Sequence, residues 1–373
     1  MPRFALRRDC PVRRLSDDCR DTVVTRAHEP AVSVIMPVHN GRAWLELALT
    51  SILRQSLTSL ELIVVDDGSD DGSREVLDRL AGRDSRMRVL HLPRLGLAAA
   101  LNRGLAEARA PLIARLDADD IAHPTRLERQ ARFMAQHPEV GVLGAWALEI
   151  DRHGRPRGRR MPAPDSEALK RGLVEANPFV HSSIMARADL LRDLGGYRPA
   201  FEAAEDYDLW LRAAEVTELA NLPEFLVCYR VHDQGVSRRD PLRQAFSVRL
   251  AQRAALARRE RAADPADSLE APPDWRCELA SAAFYAEDAG LYRWLDVAAG
   301  GPGRASPIHA CAAGLSYGAR PLNHAERRLA ARAIWARVRS ADPREAAHAR
   351  NLLLRLLRFS PTTVLKGAWS LRA

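Results

Sequence analysis

The chain has 373 residues, of which 47% are hydrophobic and 28% are charged. This length allows two domains of ordinary size, and the composition excludes a fibrous or wholly disordered protein. The formal net charge is +8, and almost all of the 56 cationic residues are arginines, the exceptions being Lys170 and Lys366. Such a charge favours weak attraction to phosphates or to an anionic membrane surface.

Five scattered cysteines form no close pair and no metal-ligand spacing, which is consistent with a reducing cytoplasm. No apolar run approaches the roughly 18 residues that span a bilayer. The N-terminus also lacks the continuous apolar segment of a secretory signal. We therefore expect a cytoplasmic protein, either soluble or peripheral at the inner face of the membrane.

Hydrophobic periodicity begins after residues 1–30, which we predict to be a flexible tail. Apolar strand patterns then alternate with helical patterns, with strands at 32–36, 60–65, 87–92 and 112–116. Asn40 is a candidate N-cap for the first helix, and Trp44 is expected on its buried face. The alternation predicts an α/β fold with a mostly parallel, Rossmann-like sheet covered by helices on both faces.

The second part of the chain has a less regular pattern. It predicts helices at 126–137, 165–173 and 204–212 and strands at 140–150, 181–186 and 225–231. A basic loop is predicted at 155–160. From Asp240 onward only helical patterns follow, beginning with an Arg-rich helix at 241–259. We therefore divide the chain into the tail, an α/β domain at 31–237 and a helical C-terminal region at 238–373.

Polar residues follow three of the predicted parallel strands, at the edge where ligands bind in such sheets. They are His39-Asn40, Asp66-Asp67 and Asp117-Ala118-Asp119-Asp120. On an extended backbone Asp117 and Asp119 point the same way, so their carboxylates can face one hard cation such as Mg or Mn. The alternative is a solvated acidic turn that caps the next helix, and for Asp120 it carries equal weight.

Four segments in this order resemble the family-2 inverting glycosyltransferases of the GT-A fold. They are Val-Ser-Val-Ile-Met-Pro-Val-His-Asn at 32–40, Val-Asp-Asp-Gly-Ser-Asp-Asp-Gly-Ser at 65–73, Arg-Leu-Asp-Ala-Asp-Asp at 115–120, and Gly-Gly-Tyr-Arg with Ala-Glu-Asp-Tyr-Asp-Leu-Trp-Leu-Arg within 195–212. The resemblance covers residues 31–237. It implies a nucleotide-sugar-binding fold and a metal-dependent transfer, from a nucleotide-diphosphate donor such as a UDP-sugar to a glycan or lipid-linked hydroxyl.

The resemblance also implies roles for individual residues. Asp119 and Asp117 would bind the divalent cation, Mg or Mn, with His232 as a further candidate for which a capping or core role is equally open. Contacts with the nucleotide-sugar would come from Pro37, His39, Asn40, Asp67, Asn102, Arg115 and Asp117. Asp66 is expected only to stabilise the turn, and a structural Arg–Asp pair is the alternative for Arg115. Ser237, Arg230 and Arg238 are weaker candidates near the diphosphate.

Asp206 resembles the general base that takes the proton of the acceptor hydroxyl in an inverting displacement. Glu205 is the second choice. A carboxylate at a helix N-terminus is expected to stay ionised, because the helix dipole favours negative charge there. Simple capping of the helix is the alternative for both acids, and Trp210 is expected in the core.

Two other classes of function compete with a glycosyltransferase. A nucleotidyltransferase would have a Gly-rich loop with a basic residue after the first strand, and His39-Asn40-Gly41-Arg42 does not match it. A catalytically silent binding module would have lost its acids, which are present here. A dehydrogenase is disfavoured because no Gly-x-Gly-x-x-Gly follows the first strand.

The expected partners are the nucleotide-sugar donor and a glycan or lipid-linked acceptor, without nucleic acid. A basic amphipathic helix such as 241–259 can lie on anionic lipid, so it is a candidate for peripheral membrane contact. Packing against the catalytic domain is the alternative for this helix. The sequence leaves the oligomeric state open.

Overall fold

The computed structural model describes residues 29–233, 235, 240–260 and 262–275. Beyond them it describes 284–286, 288–290, 292, 296, 316–317, 320–321, 326 and 329. The predicted N-terminal tail, Ser237, Arg238 and most of the predicted helical C-terminal region therefore lie outside the described residues.

Strands and helices alternate through the first third of the chain, as the periodicity predicted. The strands are β1 (Val32–Val38), β2 (Leu60–Asp67), β3 (Met87–Leu92), β4 (Leu112–Arg115), β5 (Ile121–Ala122), β6 (Val140–Ile150), β7 (Pro156–Arg160), β8 (Met185–Arg187) and β9 (Glu218–Arg230). The helices are α1 (Arg42–Leu53), α2 (Ser73–Ala81), α3 (Leu97–Glu107), α4 (Arg126–Gln136), α5 (Ser166–Leu173), α6 (Ala188–Asp193), α7 (Glu205–Ala213) and α8 (Pro241–Arg259).

Within the described residues these nine strands form one sheet, in the order β3-β2-β1-β4-β8-β6-β9-β5, with β7 paired to β6. The strands from β3 to β4 are parallel, so their carboxyl ends meet at one edge. Beyond β4 the sheet is mixed: β8 is antiparallel to β4 and β6, whereas β9 is parallel to β6. The predicted α/β fold is confirmed, and its run of adjacent parallel strands is confined to β3, β2, β1 and β4.

The two faces of the sheet carry separate apolar cores, because side chains alternate along each strand. On β1, Val34 and Met36 belong to the core that includes Leu45 of α1. Ile35 faces the opposite way and packs in the core that includes Leu101 of α3 and Trp210 of α7. Trp210 is fully buried, as predicted.

Three elements of the second half differ from the predictions. The predicted basic loop is the edge strand β7, whose side chains are mostly exposed and therefore lack an apolar pattern. The predicted strand at 181–186 is a 3-10 turn, His181–Ser183, followed by the short strand β8. A two-stranded antiparallel pair, Ser316–Tyr317 with Arg320–Pro321, lies where only helices were predicted.

Helix α8 packs its apolar side inside the protein, with Leu242, Phe246 and Leu250 buried. Its arginines form intramolecular ion pairs: Arg243 with Glu202, Arg249 with Glu326, Arg253 with Asp288, and Arg258 with Glu215 and Asp264. The structure thus shows the packed alternative, in which the apolar face is not available to a lipid surface. Among the described residues no helix combines the length and apolarity that crossing a bilayer requires.

Candidate active site

A pocket of about 380 Å³ lies at the carboxyl ends of the parallel strands, within the size range of small-molecule sites. Its lining comes from the ends of β1, β2 and β4, from α1 and α3, and from the segment after β9. The lining residues are Pro37, Val38, His39, Asn40, Gly41, Trp44, Asp67, Arg94, Leu97, Ala100, Asp117, Ala118, Asp119, His232 and Gly235. The predicted convergence of three strand ends at one site is therefore present.

The turn after β1 is held by the turn after β2. Asn40 adopts a left-handed conformation with φ 55°, and its Oδ1 accepts a hydrogen bond from the Asp70 amide at 2.9 Å. The N-cap of α1 is Gly41, not Asn40 as predicted. The Gly41 amide donates to Ser73 Oγ at 3.1 Å, so α1 is capped from the neighbouring turn. This cross-bracing explains why the turn after β2 is rich in Asp and Ser and why Asn40 lies in the turn after β1.

Asp67 presents a carboxylate that backbone amides hold in place. It is 3% exposed, and its oxygens accept hydrogen bonds from the amides of Leu95 at 2.6 Å and Gly96 at 3.0 Å. His39 Nδ1 lies 2.9 Å from the Asp67 carbonyl oxygen, which places the imidazole in the pocket beside it. Asp66 points to the other face and accepts from the Ser69 amide, so its predicted turn-stabilising contact is present.

Asp117, Asp119 and Asp120 offer carboxylate oxygens that all lie within 4.8 Å of one another. Asp117 forms a two-pronged ion pair with Arg115 and accepts a hydrogen bond from Ser182 Oγ at 3.0 Å. Arg115 is buried and is absent from the pocket lining, so the structural Arg–Asp alternative describes it better than donor contact.

Asp120 does not cap a helix, as one alternative had predicted. It is 1% exposed, and its Oδ1 accepts a hydrogen bond from the Arg230 amide at 2.6 Å, which ties β4 to the end of β9. The N-cap of the following helix, α4, is Thr125. Among the described residues no donor of normal geometry reaches the second oxygen of Asp120, Oδ2.

The three carboxyl groups of this cluster oppose one another's ionisation. Burial raises the pKa of Asp117, the Arg115 guanidinium opposes that rise, and the charge of Asp119 adds to it. Burial and the charges of Asp119 and Asp117 raise the pKa of Asp120 well above its usual range. A cation bound here would relieve the repulsion, and oxygen donors are the ligands that Mg and Mn prefer.

His232 reaches the cluster from the segment after β9. Its Nε2 lies 2.7 Å from Asp119 Oδ2, and two donor atoms this close can bind one ion. The imidazole packs against the Trp44 ring at a centroid distance of 4.5 Å, and the Arg230 guanidinium lies over the same ring at 5.3 Å. The oxygens of Asp117 and Asp119 thus fit a divalent cation, and the imidazole of His232 lies beside Asp119 as a further candidate donor.

The two acids of the predicted base lie in the first turn of α7, outside the pocket lining. Asp206 is half-buried, and its oxygens accept from Asn177 Nδ2 and from the Tyr207 amide, each at 2.7 Å. Burial raises the pKa of Asp206, whereas the two hydrogen bonds and the charge of Arg115 oppose that rise. Burial and the charge of Asp206 raise the pKa of Glu205 to about 8.

Asn102 does not reach the pocket. Its Oδ1 accepts from the Tyr197 amide at 2.8 Å, and its Nδ2 donates to the Tyr197 carbonyl at 2.6 Å. The adjacent Gly196 has a φ of 70°, and a Cβ there would lie 2.5 Å from Asn102 Oδ1. Asn102 therefore joins α3 to the turn before α7, and its predicted donor contact is not seen.

Several residues of the site carried no usable signal in the sequence. Trp44 matches the period of the buried face of α1, yet it turns into the pocket. Arg94 lies in a loop, and its NH1 group is 3.4 Å from Asp67 Oδ2. Ser182 and His181 fall in a segment that resembled a strand, and their 3-10 turn brings them beside Asp117 and Asp206. Only the folded chain shows these contacts.

Comparisons with known proteins find similarity to glycosyltransferases. The model of the family described as Glycosyl transferase family 2 matches residues 33–195. The chain is 37% identical to putative glycosyltransferase EpsE of Bacillus subtilis strain 168, over 50% of this chain and 67% of that protein. It is 35% identical to amylovoran biosynthesis glycosyltransferase AmsE of Erwinia amylovora, over 52% and 73%, respectively.

A third relative and one solved structure are also similar to this chain. O-antigen biosynthesis glycosyltransferase WbnJ of Escherichia coli is 31% identical over 56% of this chain and 82% of that protein. The crystal structure of S. aureus TarS 1–349 in complex with UDP-GlcNAc matches with a TM-score of 0.52 at 17% identity. This match covers 90% of this chain and 88% of that one, and it supports the fold alone.

Proposed function

Because the chain belongs to glycosyltransferase family 2 and has the GT-A fold, we propose that it transfers a hexose from a nucleotide-diphosphate donor to a hydroxyl acceptor with inversion at the anomeric carbon. The observation that carries this proposal is the convergence of Asp67, Asp117 and Asp119 on one pocket at the ends of the parallel strands β2 and β4. Asp67 would serve the nucleotide, and Asp117 and Asp119 would serve the cation that accompanies the diphosphate.

The fold and the pocket support a proposal for the donor class. A protein of similar fold has been solved with UDP-GlcNAc, and we propose a UDP-sugar as the donor here. Asp67 would accept hydrogen bonds from the base, and Pro37, His39 and Asn40 would enclose the nucleoside, as their positions in the lining allow. Arg94, beside Asp67, adds a cation at the same wall.

Relatives suggest the biological setting. Two of them are named for the biosynthesis of amylovoran and of O-antigen. We propose that this chain likewise acts in polysaccharide assembly for the cell envelope, on a glycan or lipid-linked acceptor. We propose that it works at the cytoplasmic side of a membrane.

Asp119, Asp117 and His232 would hold the divalent cation, which when bound supplies positive charge to stabilise the leaving diphosphate. Asp117 is held by Arg115 and Ser182, so its position is fixed before any ligand arrives. Trp44 packs against the imidazole of His232, and Arg230 lies over the same Trp44 ring. The residues around the cluster thus pre-organise its donor atoms.

Asp206 would act as the general base. As the acceptor oxygen forms its bond to the anomeric carbon, the bond from that carbon to the phosphate oxygen breaks and its electron pair leaves with the nucleotide diphosphate. The acceptor proton passes to the Asp206 carboxylate. Asp206 is the more accessible of the two acids, and Asn177 and the Tyr207 amide stabilise its charged form.

A panel of UDP-, GDP- and dTDP-sugars with Mn, Mg or a chelator tests the proposal. We expect one nucleotide class to raise the melting temperature only with metal, and turnover to release the nucleoside diphosphate. The anomeric coupling constant of the product reports inversion. The proposal fails if no nucleotide-sugar changes the melting temperature with either metal.

A further inference from the structure

We propose that His181 is a positioning residue for the base: with its ring oriented by Tyr197, it directs its Nδ1–H at Asp206 and holds that carboxylate ready to accept a proton. This inference rests on the proposed function, in which Asp206 is the base. His181 lies in the 3-10 turn between α5 and β8, outside the four segments that resemble the family.

Asp206 has two fixed hydrogen bonds and room for one further donor. Asn177 Nδ2 donates to Oδ2 and the Tyr207 amide donates to Oδ1. His181 Nδ1 lies 3.9 Å from Oδ2. At this distance the two atoms attract each other without a direct hydrogen bond, and catalytic contacts of this kind commonly shorten when substrate closes a site.

The Asp206 carboxylate favours the tautomer of His181 with its proton on Nδ1, and Tyr197 can bind the other ring nitrogen. The Tyr197 hydroxyl lies 3.1 Å from His181 Nε2. Burial raises the pKa of the Tyr197 hydroxyl, so it keeps its proton and can donate to Nε2. Burial and the charge of Arg115 lower the pKa of His181 well below its usual range, so the ring is neutral. The single ring proton is then on Nδ1, which faces Asp206.

The opposite tautomer would be unfavourable in this arrangement. It would turn a lone pair of Nδ1 toward the negatively charged carboxylate of Asp206. Tyr197 cannot move away easily, because Asn102 binds both its amide and its carbonyl. The link through Asn102 and Tyr197 to His181 therefore gives Asn102 a part in the site without contact with the donor.

Other charges near Asp206 make such a donor useful. Burial and the negative charge of Asp117 oppose the ionisation of Asp206, and Glu205 is its immediate neighbour. Arg115 favours the ionised form, but it is already paired with Asp117. An N–H donor from His181 adds stabilisation to the charged carboxylate without placing a second cation in the site.

The test compares His181→Ala, which removes the donor, with His181→Asn, whose amide can replace Nδ1–H. We expect His181→Ala to lower kcat at pH 7 by about 10- to 100-fold and to move the acid limb of the kcat profile upward by about one pH unit. His181→Asn should recover part of both effects. Tyr197→Phe should shift the limb in the same direction by less, and the donor KM should change by less than about threefold.

His137→Ala serves as the matched control, because this histidine pairs with Glu139 at the surface, away from the pocket. Melting curves of each variant report folding, and Tyr197→Phe and His181→Asn carry the test if His181→Ala does not fold. A loss of kcat without a shifted acid limb and without rescue by Asn would overturn the inference and mark His181 as structural. If Asp206→Asn itself retains transfer, the proposed base is wrong instead.

Discussion

The donor pocket and the base region are built in different ways, although both present carboxylates. In the pocket, Asp67 and Asp119 follow strands of the parallel half, and the partners of Asp67 are backbone amides. In the base region, Asp206 begins a helix of the mixed half, and its side-chain neighbours, Asn177 and His181, come from segments 25 or more residues away. Strand ends thus place one set of acids, and long-range packing places the other.

The two regions also differ in how they treat negative charge. The pocket opens its acids toward ligand, so a cation or a nucleotide can satisfy them. The base region buries its acids, and burial together with Asp206 raises the pKa of Glu205 to about 8. The pocket is therefore suited to binding charge, whereas the base region is suited to exchanging a proton.

The largest effect should come from the pocket. We expect Asp119→Ala to lower transfer by about 10³-fold or more and to abolish metal-dependent donor binding, because the carboxylate is the central member of the cation-binding set. Initial rates and melting curves with and without Mn measure it. Asp70→Ala, in an exposed turn nearby, is the matched control. Undiminished transfer by Asp119→Ala would show that the cluster is structural.

The two acids of α7 should respond unequally. Asp206→Asn should lower kcat by about 10²- to 10⁴-fold with little change in donor affinity, because it removes the base but not the pocket. Glu205→Gln should stay within about threefold of the parent at pH 7, since Glu205 is largely protonated there. Steady-state kinetics of both variants measure this, and the reverse ranking would make Glu205 the base.

The raised pKa of Glu205 predicts a pH-dependent stability. Its folded-state pKa of about 8 exceeds the unfolded value of 4.5, so its contribution is complete below pH 4.5 and is lost as pH rises toward 8. We expect Glu205→Gln to flatten the decline of the melting temperature between pH 5 and pH 8. Scans of both proteins at several pH values measure it, and parallel curves would contradict the burial of an ionisable Glu205.

A smaller effect should come from Trp44. Trp44→Phe keeps an aromatic ring but loses the hydrogen bond from Nε1 to the Arg152 carbonyl, and Trp44→Ala loses the contact with His232 as well. We expect the apparent Kd for Mn to rise about twofold in Trp44→Phe and about tenfold in Trp44→Ala. A titration of activity against Mn measures it, and equal affinities would remove His232 from the cation site.

The donor pocket and the base region also differ in how well the sequence predicted them. Asp67, Asp117 and Asp119 were located because each follows an apolar run, and the carboxyl ends of parallel strands meet at one edge. Arg115 and Asp120 were ambiguous, because a partner such as the Arg230 amide lies 110 residues away. Local patterns cannot encode such contacts.

Helical periodicity alone also misplaces residues at the boundary of a core. Trp44 lies one position before the buried Leu45, and the same pattern fits either a core or a pocket residue. Asn40 had the chemistry of an N-cap, yet the neighbouring turn caps α1 and leaves Asn40 to bridge the two turns. In both cases the deciding contact comes from another element.

The packing of α8 has a practical consequence for dividing the chain. Leu250, Ala251 and Ala254 belong to the same apolar core as Trp210, and Gln252 donates to the Tyr207 hydroxyl at 3.3 Å. A fragment that ended at residue 237, where the family resemblance stops, would expose this core beneath the helix that carries Asp206. We expect such a fragment to aggregate, so any minimal active piece should extend at least through residue 275.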